Sequence, residues 1–154
     1  MNWSAVEAIS SAIGAVGVIV TVAYLAYQIR QNTQSIQGQT EQSLMSLERD
    51  VYALIADNAS VYRRGSADSN GLDQDEALQF LHIVAAELSL IYSAYVQHQR
   101  RLISDEVWDA YRRGAQNKLD GQGYKDIWTE LRHEYPVSFG KTIDQISSSA
   151  GNAI

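Results

Sequence analysis

The sequence contains no cysteine, which excludes disulfides, thiolate catalysis and cysteine-ligated zinc or iron–sulfur centres. Its single proline is Pro136, so nothing upstream imposes a helix break through a missing amide proton. Basic residues never cluster beyond the pairs Arg63-Arg64, Arg100-Arg101 and Arg112-Arg113, and the formal net charge is −6. That balance argues against a surface that tracks nucleic-acid phosphates, so no nucleic-acid partner is expected. Also missing are a P-loop, a G-x-G-x-x-G turn, a G-x-S-x-G elbow and an HExxH helix, the motifs that carry a mechanism in their spacing. Their absence points away from an enzyme, and no catalytic, cofactor-binding or metal-binding residue is assigned.

One further absence is local. From Ala8 to Ile29 there is no charged residue. As a helix these residues extend about 33 Å, close to the roughly 30 Å hydrocarbon thickness of a bilayer. Trp3 precedes the run, and Tyr24 and Tyr27 lie near its end, where amphipathic rings favour the membrane interface. The leading MNWSAVE has no Lys or Arg and no A-x-A site follows, which favours a retained span over a cleaved signal peptide. Arg30 after the run and Glu7 before it favour an N-terminus outside and a C-terminal domain in the cytoplasm.

Within the run, Ser10, Gly14, Gly17 and Thr21 recur at spacings of four, three and four. Small side chains in one seam let helices approach closely in lipid. The seam continues past the run as Gln28, Gln31 and Ser35 in QIRQNTQSIQGQTEQS, residues 28–43, which holds six glutamines and only two charges. Uncharged amides repeated by symmetry hydrogen-bond between copies, where like charges would repel. The expectation is a homo-oligomer assembled through this seam. A water-filled pore lined by the same residues is the alternative, as is an accessory subunit of a larger membrane complex.

After the glutamine-rich stretch an apolar stripe resumes at Leu44, Leu47, Val51, Leu54 and Ile55, the period of one helical face. The sequence predicts that this helix stops at YRRG, with Gly65 as a left-handed cap, and that SADSNG is a loop. Asp73 and Glu76 have capping-box spacing. They open a long helix from Gln74 to about Arg101, with Leu78, Leu81, Ala85, Leu88, Ile91, Tyr92 and Tyr95 on its apolar face. Ser104 starts the next helix, GQG at 121–123 ends it, YKDIWTELRHEY forms another before Pro136, and Phe139, Ile143 and Ile146 mark a last one. No segment has the alternation of a strand. The predicted fold is all-α: a transmembrane helix over 1–30, a juxtamembrane stalk helix over 31–64, a helical-bundle domain over 65–149 and a flexible tail over 150–154.

Three groups of residues invite chemical readings. Glu130 and His133 have the Glu-x-x-His spacing of di-iron bundles, but such sites need two such motifs and further carboxylates, so a solvated polar face is the better reading. Glu87 interrupts the apolar IVAAELSLIY and is expected to pair with Arg112 or Arg113 rather than act as a base. The tyrosines and Trp108 and Trp128 at helical spacing read as core packing rather than as a binding face.

The words YLAYQIRQNTQS, YRRGSADSNGLDQDEALQF and ELSLIYSAYVQHQRRLISDEVWDAYRR together resemble a group of small bacterial single-span membrane-anchored proteins, over nearly the whole chain. The QIRQNT junction and LISDEVW are the most specific parts of the likeness. The resemblance implies a bacterial origin and attachment to the inner membrane, and brings no catalytic residue with it.

Overall fold

A computed structural model describes the backbone over residues 3–150, and the side chains within it except at 5, 6, 8–13, 149 and 150. Six α-helices follow one another among the described residues, with no strand: α1 (Trp3–Asp57), α2 (Ala59–Ala67), α3 (Gln74–Gln99), α4 (Asp105–Leu119), α5 (Gln122–Leu131) and α6 (Val137–Ala150). Short 3-10 turns at Ser69–Gly71 and Arg132–Glu134 fill two of the connections. The chain divides into two compact units, with the boundary between Gln39 and Thr40.

In the first unit every side chain from Gly14 to Ile36 is exposed. Helix runs through this segment although its glycines and β-branched residues are weak formers, since no proline intervenes to break it. Apolar residues occur at almost every position from Val16 to Ile29, so they ring the helix rather than form one stripe. Val18, Ile19 and Val20 are 63, 67 and 62% exposed.

The second unit is a bundle around α3. Leu44 and Val51 of α1 join its core, with Phe80, Val84, Leu88, Ile91 and Ala94 of α3 and Phe139, Ile143 and Ile146 of α6. The capping box at the start of α3 forms as expected: Asp73 accepts from the Glu76 amide and Glu76 reaches back to the Asp73 amide. Ser104 caps α4 through the Val107 amide. Each such cap stabilises its helix by about 1 kcal/mol. At its far end α3 closes with a Schellman arrangement in which Arg101 takes the left-handed conformation, φ 59°. Its amide donates to His98 O, and that of Leu102 to Gln97 O.

Two expectations are corrected by this architecture. The helix beginning in the first unit does not reach Gly65: it ends at Asp57, and α2 begins after Asn58. The Asn58 side chain donates back to Leu54 O at 2.9 Å, the local competition by which asparagine weakens a helix. Gly65 then lies inside α2, buried, with no left-handed glycine among the described residues. The buried face of α3 is also rotated from the expected one: Leu78 is 55% exposed, whereas Phe80 and Val84 are fully buried. The cause is that α3 is covered by more than one helix, so no single stripe defines its interior.

Among the described residues one helix, α3, is long and apolar enough to cross a membrane, with mean hydropathy 1.4 and 44% of that stretch buried inside the bundle. Its packing and its fully buried Glu87 give it the character of a core helix. The N-terminal run is described continuously in its side chains only from Gly14 onward.

Candidate functional site

Glu87 is the one charged residue fully buried among the described residues. It faces α2 and α4. Lys118 of α4 donates to Oε1, and the Tyr62 hydroxyl of α2 lies 3.2 and 3.1 Å from the two carboxylate oxygens. The expected partner was Arg112 or Arg113. Instead both arginines are exposed, Arg112 pairs with Asp109 one turn back on its own helix at 3.1 Å, and Lys118 is the cation turned inward. A lysine near the end of α4 reaches Glu87 because Ala115 and Leu119, on either side of it, belong to the buried face.

The phenols around this carboxylate are held neutral. Burial pushes the Tyr62 hydroxyl up, and the charge of Glu87 and the bond to it add to the effect, against a smaller opposing donor from Ser66. Tyr124 is driven well above its ordinary value, first by burial and then by Glu87. Its hydroxyl has no partner among the described residues. Tyr62 thus acts as a donor to an ionised carboxylate, a stronger bond than a neutral pair. The carboxylate thus carries a cation and a phenol, the arrangement of a buried ion pair with an added donor.

Lys118 also lines a cleft of about 300 Å³. The cleft lies between the second-unit part of α1, α3 and α4, with Val51, Leu90, Ile91 and Val107 as apolar lining. Its polar members are Glu48, Tyr52 and Tyr111. The Tyr111 hydroxyl donates to Glu48 Oε2 at 3.4 Å. Burial first, and then Glu48, pushes this phenol up to about 12, and Tyr52 is raised by the same causes. Sequence reasoning missed this cleft. Its only trace was that Glu48, Tyr52 and Tyr111 fall beside core positions of two helices that lie far apart in sequence.

The seam residues remain on the surface of the first unit. A Cβ added at Gly14 or Gly17 would meet nothing within 4 Å. Thr21 Oγ1 donates to Gly17 O at 2.8 Å, Gln28 Nε2 to the Tyr24 hydroxyl at 2.9 Å, and Gln39 Nε2 to Ser35 Oγ at 3.4 Å. Gln28, Gln31 and Ser35 border one shallow groove with Ile29 and Asn32. Ser10 falls outside the described side chains.

His133 places Nδ1 2.8 Å from Glu130 O, the carbonyl of its supposed co-ligand. No group of three or more His, Asp or Glu able to hold a metal ion occurs among the described residues. The aromatic residues pack on one another: Phe139 lies within 5.0 to 6.1 Å, centroid to centroid, of Tyr92, Tyr95, Trp128 and Tyr135. These residues form or flank the core, as their spacing suggested, whereas Tyr111 also lines the cleft. Comparison with protein-family models, with curated proteins and with solved structures returns no match.

Proposed function

We propose that this protein is a non-enzymatic, single-span membrane protein that self-assembles through the N-terminal part of α1 and presents its helical bundle on the cytoplasmic side of a bacterial inner membrane. One observation carries the reading: the apolar ring from Val16 to Ile29 is exposed on every side. A helix apolar all round needs either a protein interior or hydrocarbon around it. The uncharged length from Ala8 to Ile29 suits the second.

Within lipid the ring itself gives no preference between neighbours, because acyl chains are as apolar as valine. Close approach at small residues does. Gly14, Gly17 and Thr21 supply an open strip for it, and the Gln28, Gln31 and Ser35 groove continues that strip with groups able to hydrogen-bond between copies. The same groove would line the axis if the ring of helices enclosed water.

Membrane attachment is tested by alkaline extraction of cells expressing the full chain. It should stay with the membrane pellet, and Val18→Arg, which adds roughly 2.5–3.5 kcal/mol to insertion at mid-span, should move much of it to the soluble fraction. Full recovery of the unaltered chain in the soluble fraction overturns the proposal. Conductance of purified protein in planar bilayers would replace simple assembly by the pore.

A further inference from the structure

The cleft beside Lys118 has an unbalanced charge. Lys118 is engaged by Glu87, so its ammonium is already neutralised from behind. Glu48, partly buried at the cleft wall, has no cation within ion-pair distance among the described residues; its partners there are the phenols of Tyr111 and Tyr52. A carboxylate offers about four lone-pair sites, so it can take a cation in addition to its phenol donors. It stands here next to two phenol rings and above an apolar floor.

We propose that this cleft is a binding site for a small organic ammonium: a primary or quaternary amine carrying a short apolar body. Glu48 supplies the counter-charge. Tyr52 and Tyr111 supply ring faces and hydroxyl oxygens, the surroundings that favour alkylammonium over a hydrated inorganic cation. Val51, Leu90, Ile91 and Val107 take the apolar body. A volume of about 300 Å³ lies at the small end of ligand pockets, which sets the ligand at the size of an arylalkylamine. Anions are disfavoured, since the one positive group at the wall is held by Glu87. The proposal stands apart from membrane attachment, because every residue it uses belongs to the second unit.

Calorimetric titration of the full chain in a non-ionic detergent, with protein-free micelles as the blank for ligand partitioning, tests it. Phenethylammonium is the probe, phenylacetate the isosteric anion, and ammonium chloride the cation without a body. Phenethylammonium should bind saturably, Glu48→Gln should weaken it tenfold or more with the thermal transition retained, and Tyr111→Phe should weaken it a few-fold. Phenylacetate and ammonium chloride should bind at least tenfold more weakly. Equal binding of phenylacetate, unaltered affinity in folded Glu48→Gln, or no saturable phenethylammonium binding to the unaltered chain overturns the assignment.

Discussion

At the scale of single residues, Glu87 shows how a polar group is kept in a helical core. Its charge is matched by Lys118 and its oxygens by Tyr62, whereas the neighbouring Tyr124 hydroxyl is buried without a partner. The two tyrosines should therefore respond in opposite directions to loss of the hydroxyl. Tyr62→Phe removes a donor to a charged acceptor and is expected to cost about 1.5–2 kcal/mol. Tyr124→Phe removes an unsatisfied group and is expected to stabilise by about 1 kcal/mol. Lys118→Met strands the carboxylate and should cost about 3 kcal/mol, largely recovered by the double change Glu87→Leu with Lys118→Met. Urea denaturation of the four variants, followed by far-ultraviolet circular dichroism, checks all of them. A destabilised Tyr124→Phe would mean that its hydroxyl bonds to something in solution.

At the scale of elements, the packing of α2 against α5 and α3 depends on two glycines. A Cβ at Gly123 would lie 1.7 Å from Gly65 O, and one at Gly65 would lie 2.5 Å from the Phe80 ring. At Gly123 backbone meets backbone, so nothing can swing aside, and Gly123→Ala is expected to cost 3 kcal/mol or more, since overpacking alone costs about 1–3 kcal/mol. Gly114→Ala is the control. It sits within α4 with nothing inside 4 Å of the added carbon and should stabilise by about 0.5–1 kcal/mol through helix propensity. A second tie runs from α5 to α6. Arg132 Nη2 and Nε reach Asp144 Oδ2 at 2.6 and 3.0 Å, and Trp128 Nε1 reaches Oδ1 at 3.1 Å. The Arg132 bond, with Trp128 assisting, holds the Asp144 carboxyl below its ordinary 3.8. Between that value and the lower folded one the unfolded chain binds a proton that the native chain does not, so this contribution is complete at neutral pH and declines as pH falls through the folded pKa. Asp144→Asn should lower stability at pH 7 and flatten the loss below pH 4, read as urea midpoints from about pH 2 to 7. Parallel acid limbs in variant and parent would show that the tie contributes nothing.

These elements also mark what the sequence could convey. Helix starts at Asp73 and Ser104 were legible because a cap is local, with donor and acceptor three residues apart. Gly65 and the GQG of 121–123 read as stops because glycine in isolation signals a break. The break at GQG holds, since α4 ends at Leu119 and Gly121 precedes α5, but the close approach that Gly65 and Gly123 permit between helices far apart in the chain leaves no periodic trace. The same limit applied to Glu87: the interrupted apolar run disclosed a buried carboxylate, but the choice of Lys118 over Arg112 rests on the rotation of α4 against α3. The Glu48 cleft needed three helices to be in place before its charge imbalance could be seen.

At the scale of the whole molecule, the two units pose different demands. From Thr40 onward the chain buries its own core, whereas the side chains of the ring from Val16 to Ile29 are exposed and are covered, under our proposal, by lipid and by other copies. Assembly and membrane residence are then separable by mutation. Gly17→Ile fills the open strip with a branched side chain, apolar enough to stay in hydrocarbon but too large for close helix approach. Ile19→Ala changes a residue two positions on, about 200° around the helix and so on the far side from Gly17. Both proteins should remain in the membrane pellet. In native mass measurement after mild detergent extraction, the Gly17 variant should shift to monomer and the Ile19 variant should keep the parental mass. A parental monomer removes self-assembly through this seam, and a Gly17→Ile protein of unchanged oligomeric mass moves the interface to another face of the helix.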